Sequence, residues 1–539
     1  MAQKSSEGLT SPDPVFSPQR LGRWLTPIVA LAGFAFSLAL QTLVREDVYF
    51  SGDGSMKAVL AQHFATWPPR LDVGLPAPDW VSSLWRQGLY PMEYPTVFHI
   101  GDVWYAHFAL PFPLASAVPF ALFGFRGLYL LPLLATWALW LTVWLVARRR
   151  AWTAVETALV LAVVIFASPV TFYSATFWEH NLAIALALLG LLPILAASKR
   201  PSWRATFASG LAMGFSIWFR DELLCAAALS VLFALWTRWR GLRRPTALAH
   251  PTAWLAGATS AMGLYFSINS LLYGHPLGIH AFTVIKDGFS IGAQLANGAG
   301  MFLHLGGLLL GTFPLVVFVI VFALPRLLAA RSGQAASEER PVAWFLLLFC
   351  LTVPLLLPPR HYDGYGGKQW GPRFWLLVVP LAAMLVPGTL RWARQLSHRA
   401  ARFAVLGLFV SLLVVSFWRN TVQASALLAR DYGSRVLPTL TFLKHSKVRT
   451  VAVDHQSTAL ELLSGLERDK NLLLVRDGSS LVRFAQALEH NGEREFILVR
   501  LGDRPLPPAI RIDDRLAVRF EPIGSGGIYL LVHGEVLVR

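Results

Sequence analysis

The chain has 539 residues, of which 55% are hydrophobic and 14% charged, and its mean hydropathy is +0.51. Soluble domains carry about 25% charged residues, so this composition excludes an ordinary soluble protein and indicates a polytopic membrane protein. The formal net charge is +16, but the basic residues stand in short clusters between apolar runs, which is the positive-inside pattern. The charge therefore reports topology and contact with anionic membrane lipids, and no nucleic-acid partner is expected.

The N-terminal segment 1–23 is rich in Ser and Pro and is predicted to be a disordered cytoplasmic tail. The first apolar run, about 24–43, has a basic flank at Arg20 and Arg23. This run is too long for the core of a signal peptide, and no small-residue cleavage site follows it. We therefore expect an uncleaved membrane anchor.

A long first outer loop, 44–127, follows the anchor. Its first part is polar, and its second part is the apolar run 104–123, which contains Pro111, Pro113 and Pro119. Three prolines in a membrane-spanning helix would leave several backbone groups unpaired in lipid. The run is therefore predicted to be an interfacial or re-entrant helix that belongs to the loop.

The remaining apolar runs alternate with basic clusters, so that every inner loop is basic when the chain crosses the membrane 11 times. The predicted transmembrane domain covers residues 24–418. After the anchor, its spans are expected at about 128–147, 152–170, 181–197, 205–219, 223–237, 253–273, 301–325, 342–357, 374–389 and 403–418.

The C-terminal segment 419–539 alternates strand-like and helix-like runs, which predicts a small α/β domain. The parity of the spans places this domain outside the cytoplasm. The predicted strands are Val451–Val453, Leu472–Val475, Phe496–Val499, Leu516–Phe520 and Ile528–Val532, and the predicted helices are 459–466 and 480–489. The glycine-rich stretch Gly524–Gly527 resembles a phosphate-binding loop only weakly, and a plain turn explains it.

The same parity brings four polar segments to the outer face of the membrane. Ionisable groups at membrane depth are costly, which makes them candidates for function. The segments are Asp53 between two glycines with Lys57 one turn on, the loop 173–181 with Glu179 and His180, the hairpin tip Arg220–Glu222, and the loop 360–373 with Tyr365, Lys368, Gln369, Trp370 and Arg373.

Each of the first three segments also has a purely structural interpretation. Asp53 could be a turn residue that precedes a helix starting at Ser55. Glu179 could interact with the helix dipole at the start of the following span. Arg220 could pair with its two acidic neighbours and do no more.

The loop 360–373 is the segment that structural interpretations explain least. Anchoring in the aromatic belt accounts for Tyr365 and Trp370. It does not account for Lys368 and Arg373 together, whereas two cations suit a phosphate group.

Read in order, these segments resemble the GT-C superfamily of membrane glycosyltransferases, and most of all the branch that includes protein O-mannosyltransferases and the lipid A aminoarabinose transferase. The resemblance covers about residues 24–390. The residues that carry it are Ser51-Gly52-Asp53-Gly54, Glu93-Tyr94-Pro95, Phe123-Gly124 with Arg126, Glu179, Gly214 to Arg220-Asp221, Tyr273-Gly274-His275-Pro276 and Gly367–Arg373. Protein O-mannosyltransferases carry Asp-Glu where this chain has Asp53-Gly54, so the class of acceptor does not carry over.

The resemblance implies an inverting transfer of a sugar from a polyprenyl-phosphate donor to a hydroxyl of an acceptor glycan, lipid or protein. It implies a bacterial inner membrane, with the active site and the C-terminal domain on the periplasmic side. Asp53 is then the general base and Glu179 a second catalytic carboxylate. The expected roles of the other residues are donor-phosphate binding by Lys57, Arg220, Lys368 and Arg373, acceptor or loop contacts by Glu93, His180, Tyr365, Gln369 and Trp370, and a divalent Mg²⁺ or Mn²⁺ ion held by Asp53 and Glu179.

Two other functions remain open from the residues alone. A transporter or flippase of a lipid-linked sugar would use the same cationic groups without a base, although the chain shows neither the inverted repeats nor the broken helices typical of transporters. A non-catalytic assembly partner that presents the C-terminal domain would tolerate the loss of Asp53.

Overall fold

The computed structural model describes residues 18–195, 202–238, 245–279, 282, 290–303, 309–329, 334–356, 368–502 and 506–538. In the N-terminal half, the helices are α1 (Pro18–Gln41), α2 (Gly52–Ala65), α3 (Asp79–Leu84), α4 (Pro111–Phe123), α5 (Phe125–Leu128), α6 (Leu130–Arg149), α7 (Ala154–Phe166), α8 (His180–Leu195), α9 (Trp203–Phe219), α10 (Leu223–Arg238) and α11 (Pro245–Tyr273). A short hairpin of β1 (Val97–Ile100) and β2 (Val103–Ala106) lies in the first outer loop.

The helices of the second half are α12 (Ile291–Leu303), α13 (Leu309–Thr312), α14 (Leu315–Phe318), α15 (Leu324–Ala329), α16 (Gln334–Thr352), α17 (Val378–Arg394), α18 (Arg399–Phe417), α19 (Ala424–Arg430) and α20 (Leu437–His445). Two π-helical segments, Trp418–Gln423 and Asp431–Arg435, connect α18, α19 and α20 into one long helical run. A π-helical turn holds one extra residue and often lies at a functional site.

Within the described residues, four helical segments are long and apolar enough to cross a membrane. They are Trp24–Gln41, Phe125–Arg149, Glu339–Leu356 and Arg399–His445, and shorter apolar helices cover several of the other predicted spans. The total of 11 spans therefore stays a prediction.

The C-terminal domain is built on one six-stranded sheet with the strand order β4-β3-β5-β8-β7-β6. Its strands are β3 (Thr450–Val453), β4 (Asn471–Leu474), β5 (Glu495–Leu501), β6 (Ala509–Arg511), β7 (Leu516–Gly526) and β8 (Tyr529–Val538), and its helices are α21 (Gln456–Leu466) and α22 (Gly478–His490). β3, β4 and β5 are parallel and the rest antiparallel. The predicted α/β arrangement is confirmed, and β6 is an additional strand at the edge.

Four boundaries differ from the predicted ones. The predicted disordered tail 1–23 is already helical from Pro18, a residue type whose fixed φ suits the first turn of a helix. The apolar run 104–123 is helical only from Pro111, since its first residues form β2. In the predicted span 301–325, α12 ends at Leu303 and Pro314 precedes α14. The last helix does not end at residue 418 but runs on to His445.

Helix α2 lies at the centre of the arrangement that positions the polar residues. It packs against α4 of the outer loop on one side and against α21 of the C-terminal domain on another. The hydroxyl of Ser464 on α21 is within hydrogen-bond distance of Tyr49, and Gln62 donates to it, while the backbone N–H of Ser464 donates to Ser55. The C-terminal domain is thus tied directly to the helix that carries Asp53.

Candidate functional site

Asp53 lies in the first turn of α2. Ser51 is the N-cap, with an extended backbone, and the helix begins at Gly52. The structural interpretation of Asp53 as a turn residue before a helix starting at Ser55 is therefore wrong. The helix can begin earlier because Gly52 has no side chain, and a Cβ atom at this position would lie 2.6 Å from the Cβ of Leu460 on α21.

The Asp53 carboxylate is 32% exposed and forms an ion pair with Arg373, whose Nη1 lies 3.2 Å from the Asp53 Oδ2. Arg373 begins a short 3₁₀ helix after Pro372. Its guanidinium also lies over the rings of Trp178 and Phe374, at 5.5 and 5.0 Å from their centroids. The predicted cation of the late loop and the predicted base of the first loop are therefore in direct contact.

Glu179 has a different environment, because its side chain is only 7% exposed and has two cationic partners. The Lys57 Nζ lies 2.5 Å from one carboxylate oxygen, and the Arg220 Nη1 lies 3.3 Å from the other. Burial alone would raise the pKa of the Glu179 carboxyl, but Lys57, His180 and Arg220 hold this pKa well below its usual range.

Arg220 joins the hairpin tip to this network. Its Nε also lies 2.9 Å from Glu222 Oε1, so the structural interpretation of a pairing with an acidic neighbour is correct but incomplete. Burial raises the pKa of the adjacent Asp221 carboxyl to about 6, although the positive charge of Arg220 opposes this shift. Tyr265 donates a hydrogen bond to it at 3.4 Å.

His180, Arg220 and Arg373 line a small cavity together with Phe374, several aliphatic side chains and Glu222, the carboxylate that already pairs with Arg220. The two guanidinium groups both lie 5.0 Å from the centroid of the Phe374 ring, a distance that allows cation–π attraction. His180 is buried, and neither of its ring nitrogens has a hydrogen-bond partner among the described residues. Two cations and an unpaired imidazole around one space form a cavity that suits a phosphate oxygen.

Lys368 contacts the segment that precedes Asp53. Its ammonium group is 4.6 Å from the centroid of the Phe50 ring and 2.9 Å from the carboxylate of Asp431. The Phe50 ring contacts that of Trp178, with centroids 6.0 Å apart, and Trp178 lies under Arg373. Lys368 and Arg373 therefore share one aromatic surface, while Lys57 lies over a different ring, that of Phe108.

The residues that were predicted to form acceptor or loop contacts lie in several different places. Glu93 pairs with Arg476 of the C-terminal domain at 2.6 Å, outside the ion-pair network. Trp370 donates from its indole to Asn420 and accepts a hydrogen bond from Tyr173 at its carbonyl, so both contacts attach the late loop to helical segments. Gln369 is half-buried next to it, and Tyr365 lies outside the described residues.

The predicted divalent ion receives no support from this geometry. Asp53 and Glu179 are already paired with cationic side chains. In the part of the chain that the structure describes, no cluster of three or more His, Cys, Asp or Glu side chains could hold a metal ion. The donor set does not fit a metal centre, so no reaction step is assigned to one, and the ion stays a prediction.

Sequence reasoning missed Asp431 and the role of Phe374. Asp431 follows Arg430 inside a helical run far along the chain, and only the packing of that run against residues 49–53 brings it to Lys368. No local pattern signals such a contact. Phe374, directly after Arg373, could have been noticed as an aromatic neighbour of a cation.

Comparison with solved structures gives the same fold. The chain is similar to ArnT from Cupriavidus metallidurans in the apo state, with 15% sequence identity, a TM-score of 0.53, and coverage of 94% of this chain and 97% of that chain. ArnT from the same organism bound to undecaprenyl phosphate gives 14% identity and the same TM-score and coverage. A more distant similarity, with a TM-score of 0.47 and 11% identity over 88% of this chain and 69% of the other, is to archaeal oligosaccharyltransferase AglB from Archaeoglobus fulgidus in complex with an inhibitory peptide and a dolichol-phosphate.

No protein-family model matches the chain, and no curated protein matches it significantly. The match to ArnT, an aminoarabinose transferase, extends over almost the whole of both chains and includes the C-terminal sheet domain. The chain therefore shares the fold of ArnT, which agrees with the fold that the resemblance of its ordered motifs predicts.

Proposed function

We propose that this protein is a glycosyltransferase that moves a sugar from a polyprenyl-phosphate donor to an acceptor hydroxyl on the outer face of a bacterial inner membrane. The observation that carries the proposal is the contact between Asp53 and Arg373, which places a partly exposed carboxylate beside a cationic cavity. The GT-C fold supports it, and so does the undecaprenyl phosphate in one of the similar structures. The class of acceptor stays open.

In this mechanism the donor phosphate occupies the cavity lined by Arg220, Arg373 and His180. Charge-assisted hydrogen bonds from two guanidinium groups stabilise the negative charge that develops on the leaving phosphate. Since Arg373 also pairs with Asp53, the phosphate competes for this arginine. Binding of the donor then releases the Asp53 carboxylate at the moment when a base is needed.

The reaction is a single displacement. The acceptor oxygen attacks the anomeric carbon while its proton passes to the Asp53 carboxylate. The bond between the anomeric carbon and the phosphate oxygen breaks, and the phosphate leaves with the electron pair. Attack opposite to the leaving group inverts the configuration at the sugar carbon.

Glu179 has a positioning role in this proposal. Its two cationic partners leave it little freedom to accept a proton, whereas they are themselves fixed by it. Lys57 is held one turn beyond Asp53 on α2, and Arg220 is held at the edge of the cavity. Glu179 thus orients both cations around the donor.

The proposal is tested with purified wild type, Asp53→Asn and the control Asp102→Asn, which changes an exposed aspartate of the same outer loop. Each protein is incubated with radiolabelled polyprenyl-phosphate sugars and membrane extract, and donor binding and label transfer are scored separately. We expect Asp53→Asn to bind the donor and transfer nothing, while Asp102→Asn behaves as wild type. Equal transfer by wild type and Asp53→Asn would show that Asp53 is not the base, and binding without transfer by every protein would favour a transporter.

A further inference from the structure

The partner of Lys368 lies on the connector, the helical stretch 418–435 between the membrane helices and the C-terminal domain. Asp431 is fully buried, in a π-helical turn, and its Oδ2 lies 2.9 Å from the Lys368 Nζ. Neither oxygen of Asp431 accepts a hydrogen bond of ordinary geometry within the described residues. The carboxylate is thus held by charge alone, and Lys368 is its nearest described cation.

A second cation stands next to this pair. The Arg430 Nε lies 3.6 Å from the other oxygen of Asp431, and the Arg430 side chain is 68% exposed. A buried carboxylate that loses its only cation is strongly destabilised. Because Arg430 is close and its largely exposed side chain has room to approach, it can balance the charge of Asp431 when Lys368 moves away.

Lys368 is 24% exposed, so its ammonium group is accessible from the site. Burial lowers the pKa of Lys368, and the charge of Asp431 opposes this shift. Arg435 and Glu461 are the other charged groups that face it. The carboxylate that favours the charged form of this lysine therefore does not belong to the proposed reaction.

We propose that Asp431 is the resting partner of Lys368 and that Lys368 exchanges Asp431 for the phosphate of the polyprenyl donor when the donor binds. This inference rests on the proposed function, because it assumes that the site receives a lipid-linked phosphate. Asp431 is then a positioning residue that competes with the donor and keeps the empty site neutral.

The exchange also gives the C-terminal domain a connection to the donor. The connector that carries Asp431 is attached to this domain through Arg435, which pairs with Glu461 at 3.1 Å, and Tyr529 donates to the same carboxylate. The backbone N–H of Ile528 donates to the Arg435 carbonyl. The glycine-rich stretch 524–527 therefore forms the end of β7 and the start of the turn into β8, next to the connector.

The first experiment needs no variant. Wild-type protein in detergent is treated with an amine-reactive acylating reagent, with and without undecaprenyl phosphate, and the modification of each lysine is read by mass spectrometry. The lipid phosphate is expected to reduce the labelling of Lys368 at least threefold and to leave the exposed Lys447 unchanged. Unchanged labelling of Lys368 under saturating lipid would overturn the exchange.

The second experiment separates competition from structural support. If Asp431 competes with the lipid, Asp431→Asn should bind undecaprenyl phosphate about three- to tenfold more tightly, which is a gain of about 0.6–1.4 kcal/mol. Lys368→Met should bind it more weakly, and the double variant should show no gain. A folded Asp431→Asn protein that binds equally or more weakly contradicts the proposal.

These readouts also distinguish the inference from the proposed function. Protection of Lys368 without any sugar transfer would leave the exchange standing as a property of a lipid-phosphate binding protein. Sugar transfer that depends on Asp53, together with unchanged labelling of Lys368, would support the glycosyltransferase function and contradict the exchange at Lys368.

Discussion

The two acidic residues that the sequence places on the outer face occupy contrasting environments. Asp53 is about a third exposed and has one arginine partner at 3.2 Å, whereas Glu179 is buried between a lysine and an arginine. A carboxylate with one exchangeable partner can gain and lose a proton during a reaction, while one enclosed by two cations mainly fixes their positions. In the proposed mechanism the same residue chemistry therefore serves two purposes, and burial decides between them.

The largest effect is expected from Asp53→Asn on catalysis. General-base catalysis contributes about 10²–10⁴-fold, so we expect kcat to fall by about this factor while the apparent Tm changes little. Because the asparagine side chain no longer competes for Arg373 by charge, the donor should bind at least as tightly as it does to wild type. Single-turnover transfer assays and thermal unfolding of the same preparation measure both. A large loss of thermal stability in Asp53→Asn would show that Asp53, like Glu179, mainly stabilises the fold, and would contradict the contrast between the two carboxylates.

Glu179→Gln is expected to show the opposite pattern. The substitution leaves Lys57 and Arg220 without their shared anion, and breaking a buried pair costs about 3–5 kcal/mol. The apparent Tm should fall strongly, with donor binding reduced as well.

The matched control for Glu179 is the double variant Lys57→Gln, Glu179→Gln. It removes a cation together with the anion, so part of the lost stability should return. A double variant that is less stable than either single variant would show that the pair does not act as a unit.

The contrast between the two carboxylates also shows what could not be predicted from the sequence. The ordered motifs were enough to predict a GT-C-like membrane domain with a C-terminal α/β domain, and they predicted that Asp53, Glu179, Arg220 and Arg373 belong to one site. They could not tell which cation pairs with which anion, because the Asp53–Arg373 contact joins residues far apart in the chain. Lys368 was predicted to bind phosphate, but its buried partner has no local signature.

Gly52 provides a test of how the C-terminal domain positions Asp53. A Cβ at Gly52 would lie 2.6 Å from the Cβ of Leu460, so Gly52→Ala forces α2 and α21 apart. Overpacking of this kind costs about 1–3 kcal/mol, and transfer should fall along with stability.

Gly478 is the control for Gly52, because it also occupies the first position of a helix that follows a capping residue. A Cβ added there meets nothing within 4 Å, so Gly478→Ala should leave both the apparent Tm and transfer unchanged. Equal effects of the two substitutions would show that helix propensity, and not the contact with α21, explains the result.

The smallest effect concerns Glu467, another buried carboxylate, which faces α2 from the end of α21. The His63 imidazole lies 3.7 Å from it and the largely exposed Arg468 lies 3.9 Å from it, and burial raises the pKa of its carboxyl to about 7. The native state then keeps a proton that the unfolded chain releases, so stability is lost as the pH rises from about 4.5 to 7. Glu467→Gln should therefore raise stability at pH 8, by about 1–3 kcal/mol, and leave it unchanged at pH 4.5. Thermal unfolding at both pH values checks this, and a stabilisation of the same size at pH 4.5 would mean that the carboxyl does not titrate between pH 4.5 and pH 8.

Glu179 should show the opposite pH dependence. Because its cationic neighbours lower its pKa, its contribution to the stability of the protein should be lost as the pH falls. The pH dependences of Glu179 and Glu467 therefore have opposite signs.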